Sequence, residues 1–229
     1  MRIVSYNILD GGEGRADPLA EVIEAQRPDV VALIEADDIA VIERIANRMK
    51  MDWIQAKGQN HACALLTRWA IVDSINHAAL RPVIGNSLLE ATVRDPEGRL
   101  WPIGVVHLTG RDTEESRRQR EQELAAMLEI FSPHRAANRA HLLAGDFNSS
   151  IDSSIHQRML SNGYVDLLNE LKPEYARNTG TYTTQDPTRR FDYLFAFGMA
   201  RNGLKDAWIE QDRLAKFASD HFPVVVEII

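Results

Sequence analysis

Between residues 61 and 108 the chain carries four runs of strand character and nothing of helical period: "ACALLTRW", "IVDSINHA" and the two halves of "LLEATVRDPEGRLWPIGVVHL". Pro96-Glu97-Gly98 in the last run is a hairpin turn signal. A doubly wound parallel sheet needs a crossover helix between successive strands. The hairpin-linked stretch argues against that alternative and for a substantial antiparallel sheet.

The flanking segments add helices. "RIVSYNI" and "DVVALIEA" read as strands separated by "DPLAEVIEAQRP", where Leu19, Val22 and Ile23 fall at helical spacing and Pro28 ends the helix. "DDIAVIERIANRMK" predicts a second helix with Ile39, Ile42, Ala46 and Met49 on its apolar face. A third is expected over 112–131, capped by Asp112 and Glu115, with Leu124, Met127, Leu128 and Phe131 as its stripe and "EESRRQREQE" as its solvated face. There follow a strand in "HLLAGDF", a helix in "SSIHQRMLSNG" closed by Gly163, loops to about residue 188, and strands in "FDYLFAF", "LKDAWIE" and "FPVVVEII". The expectation is an α/β fold of two packed sheets with outer helices, formed as one domain over residues 1–229.

Composition narrows the function classes. Apolar residues make up 45% and charged residues 26%, which leaves little scope for a long disordered region. Cys63 is the only cysteine, so no intramolecular disulfide or thiolate metal cluster forms, and its apolar surroundings predict a buried, inert thiol. "MRIVSYNILDGG" lacks the pattern of a signal peptide and no run approaches the ~18 apolar residues of a membrane span, so a soluble, cytoplasmic monomer is expected. A formal net charge of −7 disfavours a nonspecific polyphosphate binder, although a divalent cation can reverse the sign within one cleft.

Several strands end by releasing polar groups: Asn7, Glu35, His107, then Asp146 with Asn148, and near the C-terminus Asp192 and the pair Asp220 and His221. One Asp or Asn at a strand end is usually a turn residue. A set of complementary groups at many strand ends suits phosphoryl chemistry instead. Hard oxygen ligands without a Cys or His cluster favour Mg²⁺ or Mn²⁺ over zinc, with Glu35 the leading ligand candidate. Asp146 and His221 are candidates to hold and deprotonate an attacking water. Asn7, Asn148 and a protonated His107 could donate to the developing negative charge. No P-loop, G-x-S-x-G or H-E-x-x-H pattern offers a rival chemistry, and "DGGEG" reads as a flexible loop near the site.

Taken in order, "SYN", "PDVVALIE", "NHACALLTRW", "VVHL", "GDFNS", "FDYLFA" and "SDHFPVVVEI" resemble the endonuclease/exonuclease/phosphatase superfamily over nearly the whole chain. The resemblance implies a four-layer α/β/β/α sandwich with a divalent metal in a cleft at one end. It also implies that Asn7, Glu35 and Asp220 lie at the metal and that Asp146 and Asn148 orient water and phosphate. His221 would hold the phosphate or move a proton, Asp192 would orient that imidazole, and His107 would assist the leaving group. Asn60 and His61 precede a strand of the matching motif and are expected to line the cleft. Arg111, Arg189 and Arg190 flank it and could hold a second phosphate. The chain departs from the abasic-site nucleases of that superfamily by carrying Leu9 where they have Asp, by its His107, and by its short loops.

The expected activity is Mg²⁺-dependent hydrolysis of a phosphate ester by an activated water, with a small molecule or lipid headgroup preferred as substrate. A DNA nuclease, or a binding protein that keeps the fold without catalysis, is the alternative. His77, His134, His141 and His156 read as ordinary surface or packing residues.

Overall fold

The computed structural model of the chain describes residues 1–229 and contains two mixed, six-stranded sheets flanked by helices. In chain order the strands are β1 (Arg2–Asn7), β2 (Val30–Ile34), β3 (Asp52–Lys57), β4 (Ala62–Thr67), β5 (Ala70–Asn76), β6 (Ser87–Arg94), β7 (Leu100–His107), β8 (His141–Asp146), β9 (Val165–Asp166), β10 (Asp192–Phe197), β11 (Leu204–Ile209) and β12 (Val224–Ile228). The helices are α1 (Ala16–Ala25), α2 (Ile39–Met49), α3 (His77–Leu80), α4 (Glu114–Ile130), α5 (Ser132–Ala136), α6 (Ser154–Ser161), α7 (Leu167–Leu171), α8 (Pro173–Asn178) and α9 (Arg213–Ala218). The first sheet runs β11-β12-β1-β2-β4-β3 and the second β5-β6-β7-β8-β10-β9. None of the helices is long and apolar enough to cross a membrane.

Alternation along the strands builds four layers. On β8, Leu142 and Ala144 join the core cluster between the sheets, whereas Leu143 faces outward to a second cluster with Leu124, Met127 and Phe131 of the α4 region. β1 and β2 are buried on both faces, because α1 and α2 cover the outer side of their sheet.

Each sheet contains one central parallel pair, β1 with β2 and β7 with β8. The C-terminal ends of these four strands point toward one end of the sandwich, and the antiparallel neighbours β10 and β12 begin there. Strand pairing therefore delivers the residues after β1, β2, β7 and β8, and those at the starts of β10 and β12, to one rim. Gly145 permits close approach just before the rim. A Cβ there would sit 1.9 Å from the Val106 carbonyl oxygen, so no larger residue fits beside Asp146.

The structure corrects three local expectations. α2 buries Val41, Ile42, Ile45 and Ala46, while Ile39 is 49% exposed, because Asp38 caps the helix and places Ile39 at its outer first position. α4 is capped by Thr113, whose Oγ1 accepts from the Ser116 amide at 3.1 Å, and Asp112 pairs with Arg117 instead. The charged run on α4 is also not wholly solvated. Arg120 and Glu123 are buried and bind the chain after β7.

Candidate active site

Three neighbouring strands of the second sheet bring their polar residues into one row. Asp146 lies opposite His107 across the β7–β8 pair and opposite Asp192 across the β8–β10 pair. The facing sheet contributes Asn7 at the end of β1, Glu35 just after β2, and Asp220 and His221 just before β12.

These groups are tied together across the gap between the sheets. Asn7 Nδ2 donates to Glu35 Oε1 at 3.0 Å and to Asp146 Oδ2 at 3.2 Å, while its Oδ1 accepts from the Leu9 amide. His107 Nε2 lies 3.9 Å from Glu35 Oε1 and 4.0 Å from Asp146 Oδ2. His221 Nδ1 donates to Asp192 Oδ2 at 2.8 Å, which leaves Nε2 facing Asp146 Oδ2 at 3.8 Å. The Ser219 hydroxyl donates to the Asn7 carbonyl at 2.7 Å and accepts from the His221 amide, pinning the start of β12 to the end of β1.

The backbone is strained where these side chains leave the strands. Leu9, Asp10, Glu35, Arg111 and Asn148 account for five of the eight non-glycine residues with positive φ. Neighbours fix each turn: the Asp10 amide donates to Glu35 Oε2 at 2.9 Å, and the Asn148 amide donates to Asp146 Oδ1 at 2.8 Å. "DGGEG" is accordingly an ordered turn rather than a free loop, with Gly11 and Gly12 buried and the Gly11 amide bonded to the Glu35 carbonyl.

Burial and charge divide the protons among these groups. Burial, reinforced by the Asp192 charge, pushes the Asp146 carboxyl up to about 7. Burial works against a charged His221, but Asp192 and Asp146 outweigh it and raise the imidazole to about 10. The expectation of a protonated His107 is corrected, since burial takes its imidazole down to about 4 and it is neutral at pH 7. Glu35 stays below the usual carboxylate value: burial opposes its charge, but hydrogen bonds donated by the Asp10 amide and the Asn7 side chain favour it.

A cavity of about 710 Å³ opens onto this cluster. Its walls include Glu35, Asn60, His61, His107, Asp146 and His221. Arg111, Asn148 and Asp220 also line it. Arg190 does not flank it; it is buried and paired with Asp166 at 2.5 Å. The sequence reading also missed four contributors. Tyr182 packs on His221 with ring centroids 4.7 Å apart, Asp37 holds His61 Nδ1 at 3.0 Å, and Arg120 and Glu123 anchor residues 109–111. Of these, only Asp37 carried a signal, standing two residues after Glu35 in the same strand-end segment.

Two groupings could hold a cation. Asp146, Asp192 and His221 each offer a ligand atom within 4.8 Å of the others, although His221 and Asp192 already spend one bond on each other. Glu35 and Asp220 form the second. Asp220 Oδ1 is buried without a hydrogen-bond partner, and burial together with the Glu35 and Asp192 charges raises the Asp220 carboxyl. An unpartnered carboxylate oxygen and an ionised carboxylate lining the same cavity are donors of the type a divalent cation suits.

Residues 4–221 match the model of the Endonuclease/Exonuclease/phosphatase family. No curated protein sequence matches the chain. Among solved structures it is similar to the 3′ phosphatase NExo from Neisseria bound to product DNA hairpin, with TM-score 0.80, 21% identity, and coverage of 100% of this chain and 99% of that one. It is similar also to the human Nocturnin catalytic domain with bound sulfate anion, with TM-score 0.76, 18% identity, and coverage of 99% and 93%. A third is the endonuclease/exonuclease/phosphatase from Beutenbergia cavernae DSM 12333, with TM-score 0.75, 19% identity, and coverage of 99% and 70%. At these identities the structural likeness establishes the fold and nothing finer.

Proposed function

Because the chain belongs to the endonuclease/exonuclease/phosphatase family, we propose that it is a metal-dependent phosphoric ester hydrolase that drives water directly onto phosphorus, with no covalent enzyme intermediate. The observation that carries this reading is the row His107, Asp146, Asp192 on one sheet facing Asn7, Glu35 and His221 from the other.

Asp146 is the general base. A carboxyl near 7 matches proton removal from water at neutral pH, an effect worth about 10²- to 10⁴-fold. Asp192 accepts from His221 Nδ1, orienting the ring and favouring its charged form, so the Nε2–H faces the reacting phosphate beside Asp146. His107, neutral and lodged between Glu35 and Asp146, donates a hydrogen bond to the leaving oxygen, and the proton that oxygen takes up comes from the charged His221 Nε2–H. Asn148 lines the cavity with its backbone locked to Asp146, and Asn7 spaces the two carboxylates. Arg111, Asn60 and His61 border the substrate.

Glu35 and Asp220 would hold Mg²⁺ or Mn²⁺, with Asn7 placed to steady Glu35 rather than to ligate. When bound, such an ion polarises the phosphoryl oxygen. The acidic surface supports a small molecule or lipid headgroup as substrate. The groove described below, and the likeness to a structure bound to product DNA hairpin, support a nucleic acid as the second reading.

The test is a panel of phosphomonoesters, phosphodiesters, abasic duplexes and single strands, each with Mg²⁺ and with chelator. The reading predicts Mg²⁺-dependent hydrolysis of small esters. Dominant cleavage of abasic DNA would transfer the assignment to the nuclease, and hydrolysis indifferent to chelator would break the metal assignment.

A further inference from the structure

Beside the catalytic cavity lies a second one of about 730 Å³, and the two share Arg111, Asn148 and Tyr182 as a common wall. Their charges are opposite. The catalytic cavity is lined by four carboxylates and one arginine, the neighbouring groove by five arginines and three carboxylates. For a chain of net charge −7 this groove is a local inversion of sign.

The three groove carboxylates are already neutralised. Asp112 pairs with Arg117 at 2.8 Å, Glu114 with Arg118, and Glu121 with Arg158 at 2.5 Å. Arg120 is buried, and its Nη1 donates to the carbonyls of Thr109, Gly110 and Arg111 at 2.8, 3.1 and 2.8 Å. That leaves Arg111 and Arg189, which have no carboxylate partner.

Both are held in place without being used up. Arg189 lies over Tyr182 at 4.9 Å and Phe191 at 5.3 Å, so its plane rests on ring faces while its N–H edge stays free. Arg111 sits at φ 65 in a turn clamped by Arg120, and Glu123 accepts from the Thr109 amide at 2.7 Å and the Thr109 hydroxyl at 2.9 Å. The buried polar pair on α4 thus acts as a mount for Arg111. Ser149, Ser150 and Ser153 also line the groove.

We propose that this groove binds a second phosphate of the substrate, gripped between Arg111 and Arg189 while the scissile ester occupies the acidic cavity. The proposal rests on the phosphoesterase reading and specifies its substrate class: a molecule with two phosphates spaced to reach both cavities. A fixed guanidinium fork suits a phosphate's paired oxygens. The shared wall makes the two cavities one continuous path.

The test compares kcat/KM for alkanediol bisphosphates of increasing length with the matching alkyl monophosphates. Wild type should favour the bisphosphate at least tenfold at the best spacing, and Arg189→Gln and Arg111→Gln should each reduce that preference by about tenfold, the worth of one charge-assisted hydrogen bond. The preference is a ratio within one protein, so it is unaffected by the fraction folded. No preference at any length, or full preference in both variants, would overturn the proposal.

Calorimetric titration of the bisphosphates reads the groove without turnover. Binding that depends on Arg189 in a protein that hydrolyses nothing would break the phosphoesterase reading and leave the groove standing. Hydrolysis without any such dependence does the reverse. An oligonucleotide arm separates sources of the second phosphate. Affinity that stops rising after two phosphates assigns a small bisphosphate, whereas affinity that climbs with strand length and falls steeply with salt assigns a nucleic-acid strand.

Discussion

Glu90 and Asp192 each hold buried or half-buried histidines, in two different regions of the molecule, and the two regions use them differently. At the outer face of β6, Glu90 Oε2 meets His77 Nε2 at 2.8 Å and Glu90 Oε1 meets His134 Nε2 at 2.7 Å, stapling α3, β6 and α5. Both carboxylate oxygens are occupied. At the strand-end rim, Asp192 spends one oxygen on His221 and keeps Oδ1 unpartnered, Asp220 keeps Oδ1 unpartnered, and a cavity opens beside them. Residue type alone does not separate a binding site from a staple. Bonding capacity left over beside an open cavity does.

Removing the rim imidazole should sharpen this contrast most. His221→Asn should lower phosphoester turnover by about 10²- to 10⁴-fold while the unfolding transition stays cooperative. Turnover within a few-fold of wild type would remove His221 from the chemistry.

The staple should behave in the opposite sense. Glu90→Gln replaces two charge-assisted hydrogen bonds with weaker ones, and the denaturant midpoint should fall by an amount equivalent to about 1–3 kcal/mol with turnover per folded molecule unchanged. A folded Glu90→Gln protein with reduced turnover would break the division between the regions.

An effect confined to low pH, and absent at neutral pH, lies next to the staple. His141 donates from Nδ1 to the Arg139 carbonyl and accepts from the Tyr164 hydroxyl at Nε2, an arrangement that needs the neutral ring, and burial lowers its pKa to about 4. The unfolded chain takes up this proton near the ordinary value of about 6.5 and the folded protein near 4, so stability falls as pH drops through that window. Above it the group contributes no pH dependence. His141→Gln should flatten denaturant midpoints plotted against pH between about 6.5 and 4. An unchanged slope would place the titrating group elsewhere.

The sequence made the rim legible because each strand announces itself by apolar alternation and then ends in a polar residue, as at Asn7, Glu35, His107 and Asp146. It could not show that His107, Asp146 and Asp192 share one row, because that register comes from pairings between segments far apart in the chain. Tyr182 lies in a loop without periodicity, so nothing local marked its packing on His221. Arg120 and Glu123 sit in a run that reads as solvated, and only the path of residues 109–111 across α4 buries them. The same tertiary blindness hid the staple. His77, His134, His141 and His156 do pack as expected, but the carboxylates Glu90 and Asp166 that hold three of them were not foreseen.

The central claim is that Asp146, held between Asn7, His107 and His221, activates water against a phosphate ester. The most direct test is the Mg²⁺-dependent rate of ester hydrolysis by Asp146→Asn beside wild type, with folding verified by thermal unfolding. A fall of at least about 10²-fold is expected in a fully folded protein. A folded variant that turns over at the wild-type rate would contradict it.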